Sequence, residues 1–375
     1  MRELDEVFEK YLLKSNVTGA DGKITRRRLT SGAIVDVDQV ITERLPALIK
    51  NILLAKGIDV EKYKIYGSVG QINWTLAYIP WVAILRRDIT TSTERGYYVV
   101  LLFSQDMKDC YLSLNQGFTQ FREQFGDRVG SRSISQTAGL AAKTFTAAPG
   151  LIEGRIDLSA KSALGRGYES GNIIARRYYA TDGISRDEFG DNVIQLMSFY
   201  DQVFDKLGPN LLLHLNPLLT SDYQEAANEL ANSNVAALPT GSIPRPRKAA
   251  RNGRASYMRD PKMAAIAIKA SGYKCEIDDT HSTFISRRTK LPYVEAHHLL
   301  PMQYQQEFKF SLDVPENIVA LCPDCHRKFH HARFGEFKKP LIELVSIREK
   351  GLQSRELSFE LDWLKKIYKE EVEED

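Results

Sequence analysis

The amino-acid sequence predicts an α+β protein with two domains. Its 375 residues, 43% hydrophobic and 26% charged, form a globular composition and exceed the usual length of one domain. Segments of helical periodicity alternate with short β-rich runs in the first half of the chain. Cysteines and histidines cluster in the second half, which indicates a small domain organised around metal ions.

Residues 1–207 have the pattern of a mixed α/β domain. "ELDEVFEKYLLK", "VDQVITERLPALIKNILLAKG" and "TQFREQFGDRV" predict helices, the second of them started or kinked by Pro46. "WVAILRR", "YYVVLLFS", "DCYLSL", "LIEGRIDL" and "NIIARRYYA" predict strands. A last helix begins after Ser185, which stands three residues before Glu188, the spacing of a capping box, and ends before Gly208.

Residues 208–257 predict a linker with one short helix. The second half of this segment is rich in Pro, Gly and Ser and leads into "RPRKAARNGRASYMR", which contains six basic residues and no acid. Residues 258–375 then predict a compact second domain. It starts with a helix over "DPKMAAIAIKASGY" and closes with helices over "KKPLIELVSIREKG" and "LSFELDWLKKIYKEE".

Several classes of protein are disfavoured by what the sequence lacks. It has no run of 18 apolar residues for a membrane span and no signal-peptide core at its start, so we expect a cytoplasmic protein. It has no GxxxxGK[ST] motif, so we expect no nucleotide cofactor. Four cysteines in such a chain do not suggest disulfides.

A structural zinc site is predicted by paired sulfur and imidazole ligands. Three of the four cysteines and six of the seven histidines fall within residues 275–331. Cys322 and Cys325 form a CxxC pair, and Cys275 with His281 supplies the second pair. Asp278 stands where a second CxxC would have its cysteine, and it is the alternative fourth ligand. Buried thiols without a metal remain the alternative to a zinc site.

The remaining histidines predict a second metal site. His326 and His330 are four residues apart in a helical segment and therefore share one face. His297, on the preceding strand, can supply a third ligand. His298 points to the other side of that strand and is expected to be available as a general base. Glu295 is expected to be an exposed strand residue, and a residue that supports a metal ligand from outside is the alternative.

The stretch "YVEAHHLLP…ENIVALCPDCHRKFHH" resembles the HNH (ββα-metal) nuclease family. This resemblance implies a zinc-stapled ββα-metal domain, flanked here by helices, that hydrolyses double-stranded DNA with Mg²⁺ or Mn²⁺. The ligands of that catalytic ion would be His297, His326 and His330. His298 would take a proton from the attacking water, and Asn317 would orient His298 through a backbone carbonyl. The family's usual first CxxC is replaced by Cys275 and Asp278.

The pieces "IPWVAI", "YYVVLLFSQD", "CYLSLNQG" and "GRGYESGNI" resemble the N-terminal DNA-binding domain of McrB-type modified-cytosine restriction proteins. The resemblance implies that the first domain flips a modified cytosine out of the duplex into an aromatic pocket. The residues that would line this pocket are Trp81, Tyr98, Leu102 and Tyr168. Ordinary core positions are the alternative for all four.

Two basic stretches are candidate contacts to the DNA backbone. The candidate residues are Arg26, Arg27, Arg28, Arg245, Arg247 and Lys248. A solvated loop and a solvated linker are the alternative reading of such charge runs.

The sequence therefore predicts a modification-dependent restriction endonuclease. It would consist of a domain that recognises modified DNA, a basic linker and an HNH domain. One HNH site cuts one strand, so for double-strand cleavage we expect a homodimer or a transient pairing of two chains on DNA. A sequence-specific type II restriction enzyme that reads unmodified DNA is the first alternative. The second is a zinc protein that binds DNA without cutting it.

Overall fold

The structure is a computed structural model. The residues that it describes are 1–15, 17–18, 24–25, 36–70, 76–233, 240–251 and 254–370. They form an N-terminal unit, from the described parts of Met1–Arg122 and Gly130–Leu215, and a C-terminal unit, from those of Glu123–Val129 and Asn216–Asp375. Both units combine helices with β-strands, which confirms the predicted α+β class.

The N-terminal unit contains the first six α-helices of the described chain, although α4 also runs through residues 123–129. These helices are α1 (Arg2–Lys10), α2 (Asp36–Gln39), α3 (Leu45–Ala55), α4 (Phe118–Ala142), α5 (Ala163–Gly171) and α6 (Arg186–Leu207). Pro46 lies in the first turn of α3, as the sequence suggested. The Ser185 hydroxyl accepts a hydrogen bond from the Glu188 amide at 3.0 Å, so the predicted cap does begin α6.

The strands of this unit are β1 (Val17–Thr18), β2 (Ile24–Thr25), β3 (Tyr63–Ser68), β4 (Trp81–Arg86), β5 (Tyr97–Phe103), β6 (Asp109–Gln116), β7 (Ile152–Glu153) and β8 (Ile174–Tyr179). Six of them form an antiparallel sheet with the order β3-β4-β5-β6-β8-β7. The predicted strand "LIEGRIDL" is reduced to β7. Gly154, at φ 73°, turns the chain away from the strand direction. The buried Glu169 carboxylate then accepts hydrogen bonds from the backbone amides of Leu158 and Ala160, which therefore have no strand partner.

The two faces of the sheet differ in what covers them. Tyr97 points to the face that α6 covers, and its ring lies 5.4 Å from that of Tyr200. Because side chains alternate along a strand, Tyr98 points to the opposite face. There, Asn115 stands opposite Tyr98 in the register and donates a hydrogen bond to the backbone oxygen of Tyr168 on α5.

The C-terminal unit is built around a short hairpin. Its helices are α7 (Thr220–Ala231), α8 (Pro261–Ala270), α9 (Pro323–His331), α10 (Phe334–Ser354) and α11 (Leu361–Ile367), and its strands are β9 (Lys248–Arg251), β10 (Arg254–Tyr257), β11 (Glu295–His298) and β12 (Ile318–Leu321). Strands β11 and β12 pair antiparallel, as do β9 and β10. Helix α7 lies in the segment expected to be a linker, and it packs against α8 within this unit.

The β11–β12 hairpin lies between two apolar cores. Ile318 and Ala320 pack into one core together with residues of α7 and α8. Val319 and Leu321 pack into the other core, which α9, α10 and α11 complete. Alternation along β12 therefore gives each side of the hairpin its own buried environment. No helix among the described residues is long and apolar enough to cross a membrane.

Candidate functional site

Three of the predicted metal ligands come together where β11 faces α9. His297 stands opposite Val319 in the register and so points to the α9 side of the hairpin. Pro323 begins α9, and the spacing of four residues places His326 and His330 on the face that meets His297. Nδ1 of His297 lies 3.1 Å from Nε2 of His330. One ring nitrogen from each histidine lies within 4.8 Å of the others.

The hydrogen bonds of these rings indicate which nitrogens are available to a metal ion. The Glu295 carboxylate lies 2.8 Å from Nδ1 of His326 and can only accept, so that nitrogen carries the proton. Nε2 of His326 is buried and has no hydrogen-bond partner among the described residues. An orphaned imidazole nitrogen aimed at two other imidazoles fits a divalent transition-metal ion, since each such ion accepts nitrogen lone pairs.

His297 is likewise held by a hydrogen bond, to Tyr368, the residue that directly follows α11. The Tyr368 hydroxyl donates to the backbone oxygen of Leu299 at 3.1 Å. It therefore accepts from Nε2 of His297, which lies 3.0 Å away. This leaves Nδ1 of His297 with its lone pair directed toward His330. Outer hydrogen bonds of this kind hold metal-binding histidines in one tautomer and one orientation.

Glu295 was expected to be an exposed strand residue, and that prediction is wrong. Its side chain is only 20% exposed and is bound to His326. Burial alone would raise the pKa of Glu295, but the hydrogen bond from His326, with a smaller contribution from the neighbouring Tyr293, holds it below its usual value. The sequence contained a usable signal, because residues i and i+2 of a strand share a face and Glu295 stands two residues before His297.

His298 lies on the other side of the hairpin, as the alternation predicts, but it is not open to solvent. It is fully buried, and its Nε2 lies 3.0 Å from the carboxylate of Asp313. The ring of Tyr223, on α7, stacks near it with centroids 6.3 Å apart. Asp313 also accepts a hydrogen bond from the backbone amide of Asp260. Sequence reasoning missed Asp313, since no periodicity links a loop residue to a strand fifteen positions earlier.

Asn317 fixes the backbone that follows His298. Its side-chain amide donates to the carbonyl oxygens of Leu300 and Leu312, both at 2.9 Å, and its side-chain oxygen accepts from the Leu300 amide. Its backbone oxygen accepts from the amide of Leu299. Asn317 therefore positions the residues directly after His298 through backbone groups.

The cysteines and His281 form a second group of potential ligands. One ligand atom from each of Cys275, His281, Cys322 and Cys325 lies within 4.8 Å of the others. Nδ1 of His281 lies 3.4 Å from the Cys325 sulfur. Asp278 instead lies beside the far side of the imidazole, 3.9 Å from its Nε2, and accepts two hydrogen bonds from Thr280.

This group of three thiols and one imidazole fits zinc. All three thiols are buried, and burial together with the neighbouring thiols raises the pKa of Cys325 well above its usual value. A divalent cation would remove this penalty, because it stabilises several thiolates at once. The cluster ties the loop after α8 to the start of α9, which itself carries His326 and His330.

The four predicted pocket residues lie on one face of the N-terminal sheet or against it. Trp81 and Leu102 are direct cross-strand partners, and Tyr98 is on the same face of β5. Tyr98 and Leu102 are each only 2% exposed. Trp81 and Tyr168 are half-buried, so their rings remain partly accessible.

Sequence reasoning missed a fourth aromatic residue in this group. Tyr66, on β3, meets the Trp81 ring edge to face with centroids 5.2 Å apart. Burial, with a contribution from the nearby Glu94 and Tyr66, raises the pKa of Tyr168 to about 12, although Arg122 opposes the shift. Only the pairing of β3 with β4 places Tyr66 here, and no strand was predicted over "YKIYGS".

The predicted backbone-contact residues are only partly described. Arg26, Arg27 and Arg28 lie outside the described residues. Arg245 is exposed and donates to the backbone oxygen of Phe308. Arg247 is half-buried, and the Lys248 ammonium lies 4.7 Å from the ring of Tyr257 across the β9–β10 hairpin.

The hydrogen bond from His297 to Tyr368 yields a test that does not depend on activity. Replacing Tyr368→Phe removes the acceptor that fixes the His297 tautomer, so the Kd for Mn²⁺ at the three-histidine site should rise roughly 10-fold or more. Calorimetric titration of zinc-loaded protein with Mn²⁺ measures this, and Tyr304→Phe in the same unit is the matched control. An unchanged Mn²⁺ affinity in a folded Tyr368→Phe protein would contradict the assignment.

Comparison with known proteins agrees with both resemblances. Residues 27–205 match the family model of the MrcB-like N-terminal domain, and residues 275–335 match that of the HNH endonuclease. The Type IV methyl-directed restriction enzyme EcoKMcrA of Escherichia coli (strain K12) is 33% identical over 97 residues, which cover 26% of this chain and 32% of that protein. The chain therefore combines an MrcB-like N-terminal domain with a C-terminal HNH endonuclease domain.

Proposed function

We propose that this chain is a restriction endonuclease that recognises modified cytosine in double-stranded DNA and cleaves the DNA at its HNH site. The observation that carries the proposal is the convergence of His297, His326 and His330 on one point, each able to offer a nitrogen. A zinc module that only binds DNA would need the cysteine cluster but not this second set. The MrcB-like domain and the methyl-directed name of the relative support a modified substrate.

The metal ligands would be His297, His326 and His330. A divalent ion held there would polarise the scissile phosphate and stabilise the charge on the leaving oxygen. Three imidazoles favour Mn²⁺ over Mg²⁺, because Mg²⁺ prefers oxygen ligands. Glu295 and Tyr368 hold two of the three rings in the orientation that this binding needs.

His298 is the proposed general base. Its Nε2 proton, shared with Asp313, leaves Nδ1 as the basic nitrogen, and the carboxylate stabilises the imidazolium after proton transfer. An imidazole pKa near neutrality suits the removal of a proton from water. Because His298 is fully buried, DNA binding must shift the surrounding side chains enough to admit the attacking water.

The N-terminal unit is proposed to receive a flipped modified cytosine. The half-buried rings of Trp81 and Tyr168 would form the walls of the pocket, and the buried Tyr98 and Leu102 its floor. Stacking on aromatic faces offsets part of the cost of removing a base from the duplex. Tyr66, edge to face with Trp81, would keep that indole in place.

Double-strand cleavage is proposed to use two copies of the chain. Each chain offers one three-histidine site among its described residues, and one such site hydrolyses one phosphodiester at a time. The zinc cluster would be structural, and no nucleoside triphosphate would be required.

Plasmid cleavage tests the proposed function directly. One plasmid is prepared unmodified, cytosine-methylated and hydroxymethylated, and each form is incubated with Mn²⁺ or Mg²⁺ and no nucleoside triphosphate. We expect cutting of modified forms only, since only a modified base would be held in the pocket. Cutting of unmodified DNA at fixed sites would instead favour a sequence-specific type II enzyme. DNA binding without any cutting would favour the non-catalytic zinc protein.

The His298–Asp313 pair predicts a graded loss of cleavage. His298→Ala should lower the single-turnover rate roughly 10²-fold or more, because it removes the general base. Asp313→Asn, similar in volume, should give a smaller loss, because it removes only the charge that orients and stabilises the imidazole. Zinc content and DNA affinity should stay unchanged in both variants. A His298→Ala protein that cuts at the normal rate would exclude His298 as the base.

Trp81 provides the corresponding test of the base pocket. Trp81→Ala should weaken binding of methylated duplex roughly 10-fold, the order expected for one base stacked on one aromatic ring, and leave unmodified duplex unaffected. Fluorescence anisotropy on both duplexes measures the ratio. Tyr78→Ala is the control, because Tyr78 is 50% exposed in the same unit. A preserved preference for methylated DNA in folded Trp81→Ala would place the pocket elsewhere.

A further inference from the structure

Residues 281–293, "HSTFISRRTKLPY", form an ordered loop on the C-terminal unit, here called the 281–293 loop. Ile285 and Pro292 form an isolated β-bridge. The amide of Ser286 donates to the Leu291 oxygen at 2.8 Å, and the amide of Tyr293 donates to the Phe284 oxygen at 3.0 Å. These bonds close the loop on itself and hold its side chains in a defined arrangement.

Two large apolar side chains project from this loop. Phe284 is 61% exposed and Ile285 is 60% exposed. The Phe284 ring stacks on Tyr293 with centroids 4.8 Å apart and planes 15° apart, so it is held at the surface. Adjacent exposed apolar residues on a rigid loop are typical of an interaction site, because their exposure to water has a free-energy cost.

The charges of the loop select a polyanion as the partner. The loop contains three basic residues and no acid. Arg288 pairs with Glu229 at 2.7 Å, which anchors the loop to α7. Arg287 and Lys290 are exposed on either side of that anchor. Apolar side chains flanked by cations suit a nucleic-acid duplex, which offers sugars and base edges between its phosphates.

The position of the loop connects it to the candidate catalytic site. It begins at His281, in the cysteine cluster, and ends at Tyr293, two residues before Glu295. Glu295 lies on β11, and its carboxylate binds the metal-site residue His326 at 2.8 Å. The ring on which Phe284 stacks thus stands two residues before Glu295, which binds a predicted ligand of the catalytic ion.

We propose that the 281–293 loop contacts the DNA duplex beside the scissile phosphate. Phe284 and Ile285 pack against sugars and base edges in a groove, and Arg287 and Lys290 contact flanking phosphates. The cysteine cluster and the Arg288–Glu229 pair keep the loop rigid, so little ordering entropy is lost on binding. This inference rests on the proposed nuclease function and adds the element that holds DNA at the cleavage site.

Binding measurements on two variants, with matched controls, test the loop. Affinity for a methylated duplex is measured with Ca²⁺ as the only added divalent ion, and cleavage is measured separately with Mn²⁺. The double variant Phe284→Ala/Ile285→Ala should weaken binding roughly 10-fold. The control Ile347→Ala should not, although Ile347 is 72% exposed on α10.

The double variant Arg287→Gln/Lys290→Gln should lower the slope of log Kd against log salt concentration by about 2, because each phosphate contact contributes about 0.9 to that slope. Lys350→Gln on α10 is its control.

The outcomes separate this inference from the proposed function. If wild-type protein cleaves modified DNA and both loop variants bind and cleave as well as it does, the loop proposal is overturned and the nuclease function stands. If the loop variants lose self-association rather than DNA affinity, the apolar pair belongs to a protein interface and the proposal is again overturned. A wild-type protein that binds no duplex overturns both. Bound zinc equal to wild type shows that the variants are folded.

Discussion

The antiparallel pairing of β11 with β12 is the constraint on which the candidate catalytic site depends. Its register sets His297 opposite Val319 and His298 opposite Ile318, and these two positions face different cores. A shift of one residue would exchange the two histidines, because strand side chains alternate. The pairing thereby converts two adjacent, chemically identical residues into a predicted metal ligand on one side and a carboxylate-bound imidazole on the other.

Buried histidines need partners, and the C-terminal unit supplies them from several elements. Glu295 comes from β11, Asp313 from the loop before β12, and Tyr368 from the end of α11. An imidazole transferred from water without such partners would lose hydrogen bonds that the protein did not replace. The segments around the hairpin therefore do more than exclude water. Tyr368, which directly follows α11, also fixes the tautomer of the predicted ligand His297.

The two faces of the N-terminal sheet differ in what packs against them, and the proposed base pocket lies on one of them. One face packs against α1, α3 and α6 and forms most of the apolar core. The other face combines Trp81, Tyr98 and Tyr66 with a buried polar network in which Asn115 holds Ser113 and the backbone of Tyr168. Such a network fixes α5 against the sheet while leaving two of the aromatic rings half-buried.

Sequence by itself determined the α+β class, the four strands over "WVAILRR", "YYVVLLFS", "DCYLSL" and "NIIARRYYA", and the α6 cap. It also determined both groups of potential metal ligands. Periodicity, capping residues and CxxC or i,i+4 spacing are local properties, so the sequence shows them directly. Tertiary structure alone decided the rest. Asp313, Tyr368 and Tyr66 are distant in sequence from the residues they contact, so only strand register and helix packing bring them there. The same holds for the position of His281, rather than Asp278, beside the three thiols, since that position depends on how the loop after Cys275 turns toward α9.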